Sequence, residues 1–203
     1  FSSSTYDASE ARVYAYGFEF NLIEGAPEKQ FREYGLFGLD LTTLDWELIV
    51  EAEGSSGRID GAEVIYDDTT GLVYLVGGVQ IGATGSVTPL SSIWTLDPGS
   101  GLRTQVYGQT PSITALPWGI VSTWHNEAAR TLVLAIGRGA DEYSLAVFNM
   151  DDYTYKDLEI STSIPANPAI PLRLSVLDTG HQALMLYPGL DGQPKARYLH
   201  ADF

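Results

Sequence analysis

The chain has 203 residues, enough for one domain with a real core, and its 44% hydrophobic and 11% aromatic content excludes a disordered polymer. Twenty-six acids against 11 bases give a net charge of -15 with no basic cluster, which excludes nucleic acid as a partner. With no cysteine, disulfides, thiolate catalysis, zinc ribbons and iron–sulfur centres are excluded together.

The acidity comes from scarce lysine (Lys29, Lys156 and Lys195 only) and not from an acidic tail. Such a surface fits an extracellular or cell-surface protein, with a cytoplasmic one as the alternative. No apolar run approaches the roughly 18 residues that cross a bilayer, so no membrane insertion is expected. The chain opens at Phe1 in a strand-like segment, not a signal peptide, which implies that residues precede it in the gene product.

In chain order, four stretches share one pattern: TYDASEARVYAYGF, IYDDTTGLVYLVGG, TWHNEAARTLVLAIGR and VLDTGHQALMLYPG. Each has an apolar or aromatic residue, a polar turn, then an apolar strand ending at glycine. The glycines are Gly17, Gly77, Gly137 and Gly189, spaced 60, 60 and 52. A second anchor follows each, as FGLD to Asp40, WTLD to Asp97, FNMD to Asp151 and LHAD to Asp202, spaced 57, 54 and 51. Two anchors that drift together mark a real internal repeat, with units at about 1–59, 60–117, 118–171 and 172–203.

Each unit reads as four short strands. In the second they span about 62–67, 72–77, 92–96 and 102–107, joined by tight turns at Asp67–Gly71 and Asp97–Gly101. VYLVG and LVLAIG are unbroken apolar runs, the pattern of strands buried on both faces. No stretch has a helical period, and Pro165, Pro168 and Pro171 oppose one near the end. The expected fold is all-β: a single β-propeller domain over 1–203, with four-stranded antiparallel blades. Counting from a first strand at Phe1–Tyr6 to a last at Arg197–Asp202 gives fifteen strands, the fourth blade lacking its outer one. Four blades that close by themselves are favoured over four within a larger propeller.

These units resemble kelch repeats. A Gly-Gly doublet stands at Gly77-Gly78, with Phe18 and Arg138 in the partner position elsewhere, and Trp46 lies six residues beyond Asp40. Arg103 and Asp157 occupy that offset in the next two units. The resemblance implies blade architecture and leaves function open.

Candidate chemistry is sparse. His125 falls at the turn position of Asp7, Asp67 and Asp178, His181 follows a turn, and His200 lies in a strand; none has a catalytic partner at useful spacing, so no catalytic residue is assigned. Asp67-Asp68 and Asp151-Asp152 sit at hairpin turns without a calcium-loop pattern, so no metal site is assigned. GATGS at 82–86 and GRGAD at 137–141 read as loops, not phosphate cradles, and no cofactor is implied. Tyr14, Tyr16, Tyr74, Trp94, Trp124 and Phe148 fall on strands, where packing is the default.

Length variation remains. The second-to-third strand connections run over 19–34 and 79–92, and the links between units over 51–60, 109–118 and 161–171. In a propeller both loop classes emerge on one face, which makes Glu24, Glu28, Lys29, Arg32, Trp118, Arg138, Asp141, Glu142, Asp191 and Lys195 the candidate binding rim. The expected function is a non-enzymatic interaction or structural module that displays loops for a protein partner or for self-assembly. The alternative is a carbohydrate-active enzyme or a lectin-like propeller, for which a glycan is the ligand.

Overall fold

The structure is a computed structural model, and it describes residues 3–21, 30–52, 59–81, 86–108, 119–137, 142–158, 164–165, 173–178, 182–188 and 193–200. Every regular element among them is a β-strand. The chain falls into two compact units, Phe1–Thr88 with Ile93–Val106, and Pro89–Ser92 with Tyr107–Phe203.

The first unit holds two four-stranded antiparallel sheets. One runs β1 (Ser3–Asp7), β2 (Arg12–Asn21), β3 (Gln30–Asp40), β4 (Trp46–Glu51). The other runs β6 (Glu63–Asp67), β7 (Leu72–Val76), β10 (Ile93–Leu96), β11 (Arg103–Tyr107), within a residue or two of the expected bounds. The unit also holds a small sheet of β5 (Ile59–Asp60), β8 (Val79–Ile81) and β9 (Val87–Pro89). In the second unit, β12 (Ile120–Asn126), β13 (Thr131–Gly137), β14 (Glu142–Asn149) and β15 (Tyr155–Leu158) form the same four-stranded meander, and β16 (Ile164–Pro165) adds to β14. A last sheet contains β17 (Arg173–Asp178), β18 (Gln182–Pro188) and β19 (Pro194–His200).

The apolar runs are buried as their composition requires. All seven residues of β13 and four of the five in β7 are buried, and Tyr14, Tyr16, Tyr74, Trp124 and Phe148 lie in the core. Trp94 is half-buried beneath the Arg103 guanidinium, 4.2 Å from the ring centre.

Where two sheets meet in the first unit, the contact is specific. Ser3 Oγ accepts from the Val64 amide at 3.1 Å and Thr5 Oγ1 from the Tyr66 amide at 3.0 Å. Hydroxyls two residues apart on β1 thus cap alternate amides on the edge of β6, satisfying donors that an edge strand otherwise leaves open. The Tyr14 and Tyr66 rings meet beside them at 5.5 Å.

The hairpin ends share a single device. Asp7 Oδ1 accepts from the amides of Ser9 and Glu10, Asp40 Oδ1 from Thr42 and Thr43, and Asp97 Oδ1 from Gly99 and Ser100. Asp67 does the same for Thr69, Asn126 for Ala129, and Asn149 for Asp151 and Asp152. Four residues after each anchor the backbone turns left-handed: Ala11 (φ 50°), Leu44 (65°), Gly71 (72°), Gly101 (73°), Arg130 (50°) and Tyr153 (59°). The amides of Leu44, Gly71 and Gly101 close back on their anchors' carbonyls, each at 2.8 Å.

This register corrects three expectations. The third repeat's turn is anchored by Asn126, which pairs with Thr131 as Asp7 pairs with Arg12, so His125 stands one place earlier, level with Tyr6 and Tyr66. Its second turn is anchored by Asn149, not Asp151, because the side-chain oxygen at 149 is the one that faces the turn amides. Six residues beyond Asn149 lies Tyr155, not Asp157, so Trp46, Arg103 and Tyr155 each open the outer strand of their sheet. The first strand is described over Ser3–Asp7, Phe1 and Ser2 lying outside the described residues, and the last third strand begins earlier than expected, at Pro194.

An L-residue in the left-handed region costs about 1–2 kcal/mol, part of which a glycine returns through its floppier unfolded chain. Leu44 is 71% exposed, so Leu44→Gly should raise stability by about 0.5–1 kcal/mol in urea denaturation. Tyr153→Gly should bring no such gain, because the Tyr153 ring stacks on buried Phe148 at 6.0 Å and 14° and that contact is worth about as much as the strain.

Candidate functional site

The connections opposite the anchored turns are more ordered in their pairing than the sequence suggests. Of the segment expected as a loop over 19–34, the described residues 19–21 and 30–34 continue the β2–β3 hairpin, with Phe20 opposite Phe31 and Asn21 opposite Gln30. The segment over 79–92 contains β8 and β9, and β8 pairs with β5 of the link between repeats, Ile59 opposite Gln80 and Asp60 opposite Val79. In the second unit the same relation recurs: β16, also in a link, pairs with the start of β14, setting Pro165 opposite Glu142. Links and second-to-third strand connections therefore lie side by side at one end of their sheets.

The glycine doublet makes the first of these crossings possible. Gly77 and Gly78 have φ of 66° and 85°, and a Cβ on Gly78 would sit 2.7 Å from the Asp60 carbonyl oxygen and 2.8 Å from the Ala62 nitrogen. The Tyr34 hydroxyl donates to the Ile59 carbonyl at 2.6 Å, fastening the link to the first sheet. In the second unit Gly119 (φ 54°) lies equally tight against Leu90, whose carbonyl accepts from the Ile120 amide at 3.0 Å.

Three of the ten expected rim residues fall on described strands. Arg32 lies in β3 at an irregularity where the β2–β3 register shifts, Glu142 opens β14, and Lys195 is exposed on β19 opposite Tyr187. Glu24, Glu28, Lys29, Trp118, Arg138, Asp141 and Asp191 lie outside the described residues, as does His181. His200 ends β19.

The carboxylates read as possible pairs are engaged locally. Asp67 is buried and takes the Thr70 hydroxyl at 2.6 Å; Asp151 pairs with Arg130 at 2.6 Å; Asp152 takes the Thr154 hydroxyl at 2.7 Å. Hydrogen bonds from Thr154 hold Asp152 below the usual carboxylate range, those from the amides of Thr42 and Thr43 do so for Asp40, and the Ser100 hydroxyl leads for Asp97. At Asp7 burial pushes the pKa up, but the Ser9 hydroxyl, Tyr66 and two turn amides together bring it below normal. Tyr66, desolvated and bonded to Asp7, is pushed up to about 12. Each is the signature of a folded-state contact.

What the sequence reading missed is apolar. Tyr6, Leu41, Leu44 and Trp46 are exposed at the anchored-turn end of the first sheet, and Leu102 at that end of the second. The signal was present in LTTLDW, where three large apolar residues flank a turn that needs none of them.

No protein-family model matches the chain, and no curated protein matches it. Among solved structures its fold is similar to that of YjhT, with a TM-score of 0.52, 11% identity, and coverage of 99% of this chain and 66% of that one. It is similar also to a protein of unknown function from Dyadobacter fermentans DSM 18053, with a TM-score of 0.53, 11% identity, and coverage of 98% and 60%. Likeness at that identity speaks for the fold alone: an all-β chain of repeated antiparallel sheets, spanning about two thirds or less of each of these structures.

Two measurements probe this end and its opposite. Gly78→Ala should cost about 3 kcal/mol or more in chemical denaturation, whereas Gly61→Ala, at φ 67° with open space around it, should cost only about 1 kcal/mol. Because Asp7's folded pKa is depressed, its contribution is present above the unfolded value of about 3.9 and fades as pH falls through the folded one. The stability gap between the protein and Asp7→Asn should then be constant at neutral pH and close below about pH 4; a gap that persists into acid would contradict that assignment.

Proposed function

We propose that the repeated sheets are blades of a β-propeller, kelch-like in their turns and glycines. On this reading the chain is a non-enzymatic interaction module, displaying the loop end to a protein partner at the cell surface or outside the cell. The propeller reading is supported within each unit by the neighbouring first strands, β1 beside β6 and β12 beside β17, as radial stacking requires. The binding reading rests on one observation: backbone pairing of β5 with β8 and of β16 with β14 stitches both loop classes together at the same end. A surface held by ladder bonds loses little entropy on binding, which favours recognition there over the plain turns opposite.

The test is a double substitution, Arg32→Glu with Arg138→Glu. A partner captured on the immobilised protein should bind the variant at least about tenfold more weakly, with the melting temperature unchanged. Equal affinity for both would remove the loop end as the docking surface.

A further inference from the structure

At the end of the first sheet opposite its loop end, residues 41–47 are all exposed, a run of Leu-Thr-Thr-Leu-Asp-Trp-Glu. The turn asks two things here: Asp40 as its anchor and a left-handed residue four places on. The second repeat fills the left-handed place with Gly101, and the third with Tyr153, whose ring stacks on Phe148. The first fills it with Leu44, at φ 65° and 71% exposed. Leu44 thus stores backbone strain while presenting an apolar side chain to water, a pairing that points to recognition and not to packing. Leu41 and Trp46 flank it at 40% and 47% exposed, Trp46 being already engaged locally.

The charge around this run is one-sided. The Leu41 amide donates to the Ala11 carbonyl at 3.0 Å, which sets the turn after Asp40 against the turn after Asp7. Residues 6–12 and 40–47 together hold five acids and one base. That base, Arg12, is paired with Glu47 at 2.6 Å, and Asp7 is buried. Glu10 and Asp45 are exposed, and Asp40 accepts from turn amides through one oxygen while remaining a carboxylate. Leu41, Leu44 and Trp46 therefore lie amid a surplus of negative charge.

From this apolar run and its acidic rim we propose that the anchored-turn end of the first sheet docks a basic, apolar segment of another protein. Apolar side chains of that segment cover Leu41, Leu44 and the open part of Trp46, and its lysines or arginines meet Glu10, Asp40 and Asp45. A second copy of this chain is a poor occupant. A two-fold contact sets the same acids against themselves, in a protein of net charge -15. An anionic membrane surface is repelled for the same reason. This inference is independent of the loop-end reading, which concerns the opposite end of the sheets.

The experiment uses the full chain and a fluorescent eight-residue peptide of alternating Leu and Lys, with Ser–Lys and Leu–Glu peptides as controls. The Leu–Lys peptide should bind in fluorescence anisotropy and weaken with added salt. The Ser–Lys peptide should bind at least about tenfold more weakly, and the Leu–Glu peptide should not bind. Leu44→Gly with Leu41→Ser should weaken Leu–Lys binding about tenfold or more, and Glu10→Gln with Asp45→Asn should flatten its salt dependence. Val87→Ser, at an exposed apolar residue outside this surface, should leave binding unchanged. If the double leucine variant unfolds, Leu44→Gly alone serves, because it relieves the turn. Leu–Lys binding that survives the leucine substitutions, or equal binding of the Ser–Lys peptide, would overturn the proposal, because charge alone would then carry the contact. So would absence of binding, or a dimer in light scattering that Leu44→Gly dissolves, because a second copy would then be the occupant.

Discussion

A side-chain oxygen that accepts from turn amides two and three residues ahead is the contact on which the sheets depend. It occurs at Asp7, Asp40, Asp97 and Asn149, and in single-bond form at Asp67 and Asn126. Each hairpin needs its turn to reverse in four residues and to hold the paired strands in register, since a slip of one would turn the buried alternate side chains of β12 out of the core. The anchored turn sets that register through local hydrogen bonds, with no help from contacts between sheets. In the folded state the hydroxyls of Ser3 and Thr5 meet the amides of β6 on that frame.

The turns also explain which parts of the fold could be read from the chain. Asp67 and Asp97 announce themselves, because each is followed four residues later by the glycine that the left-handed position favours. At Asn126 the same turn runs to Arg130, and at Asn149 to Tyr153, residues that give no sign of positive φ. Composition there points to His125 and Asp151, and the anchor is misplaced by one residue and by two. Strand spans in the second repeat were legible because its turns carry the expected residues; β5 and β16, two residues each, were not, since ladder pairs of that length leave no period to detect.

The candidate site was legible only as a direction. Loop length pointed to one end of the sheets, and the pairing of links with second-to-third strand connections supports the view that those segments share an end. Individual charges could not be ranked from sequence, because a charged residue on a long connection looks the same whether it meets a partner or water. The exposed Leu41, Leu44 and Trp46 lay in plain view but at a turn, where attention goes to Asp40 and Asp45.

Within a repeat, the distance from first anchor to second is 33 residues from Asp7 to Asp40, 30 from Asp67 to Asp97, and 23 from Asn126 to Asn149. The five-residue turns do not vary, so all of that difference falls at the opposite end of the sheets. Length variation among the repeats is therefore polar: one end is a hinge line set by backbone geometry, the other a margin of variable length. An oxygen at one position and tolerance of a left-handed residue four places on are nearly all that the hinge line demands. Repeats under so light a constraint can differ from one another at most positions while the sheets keep their shape.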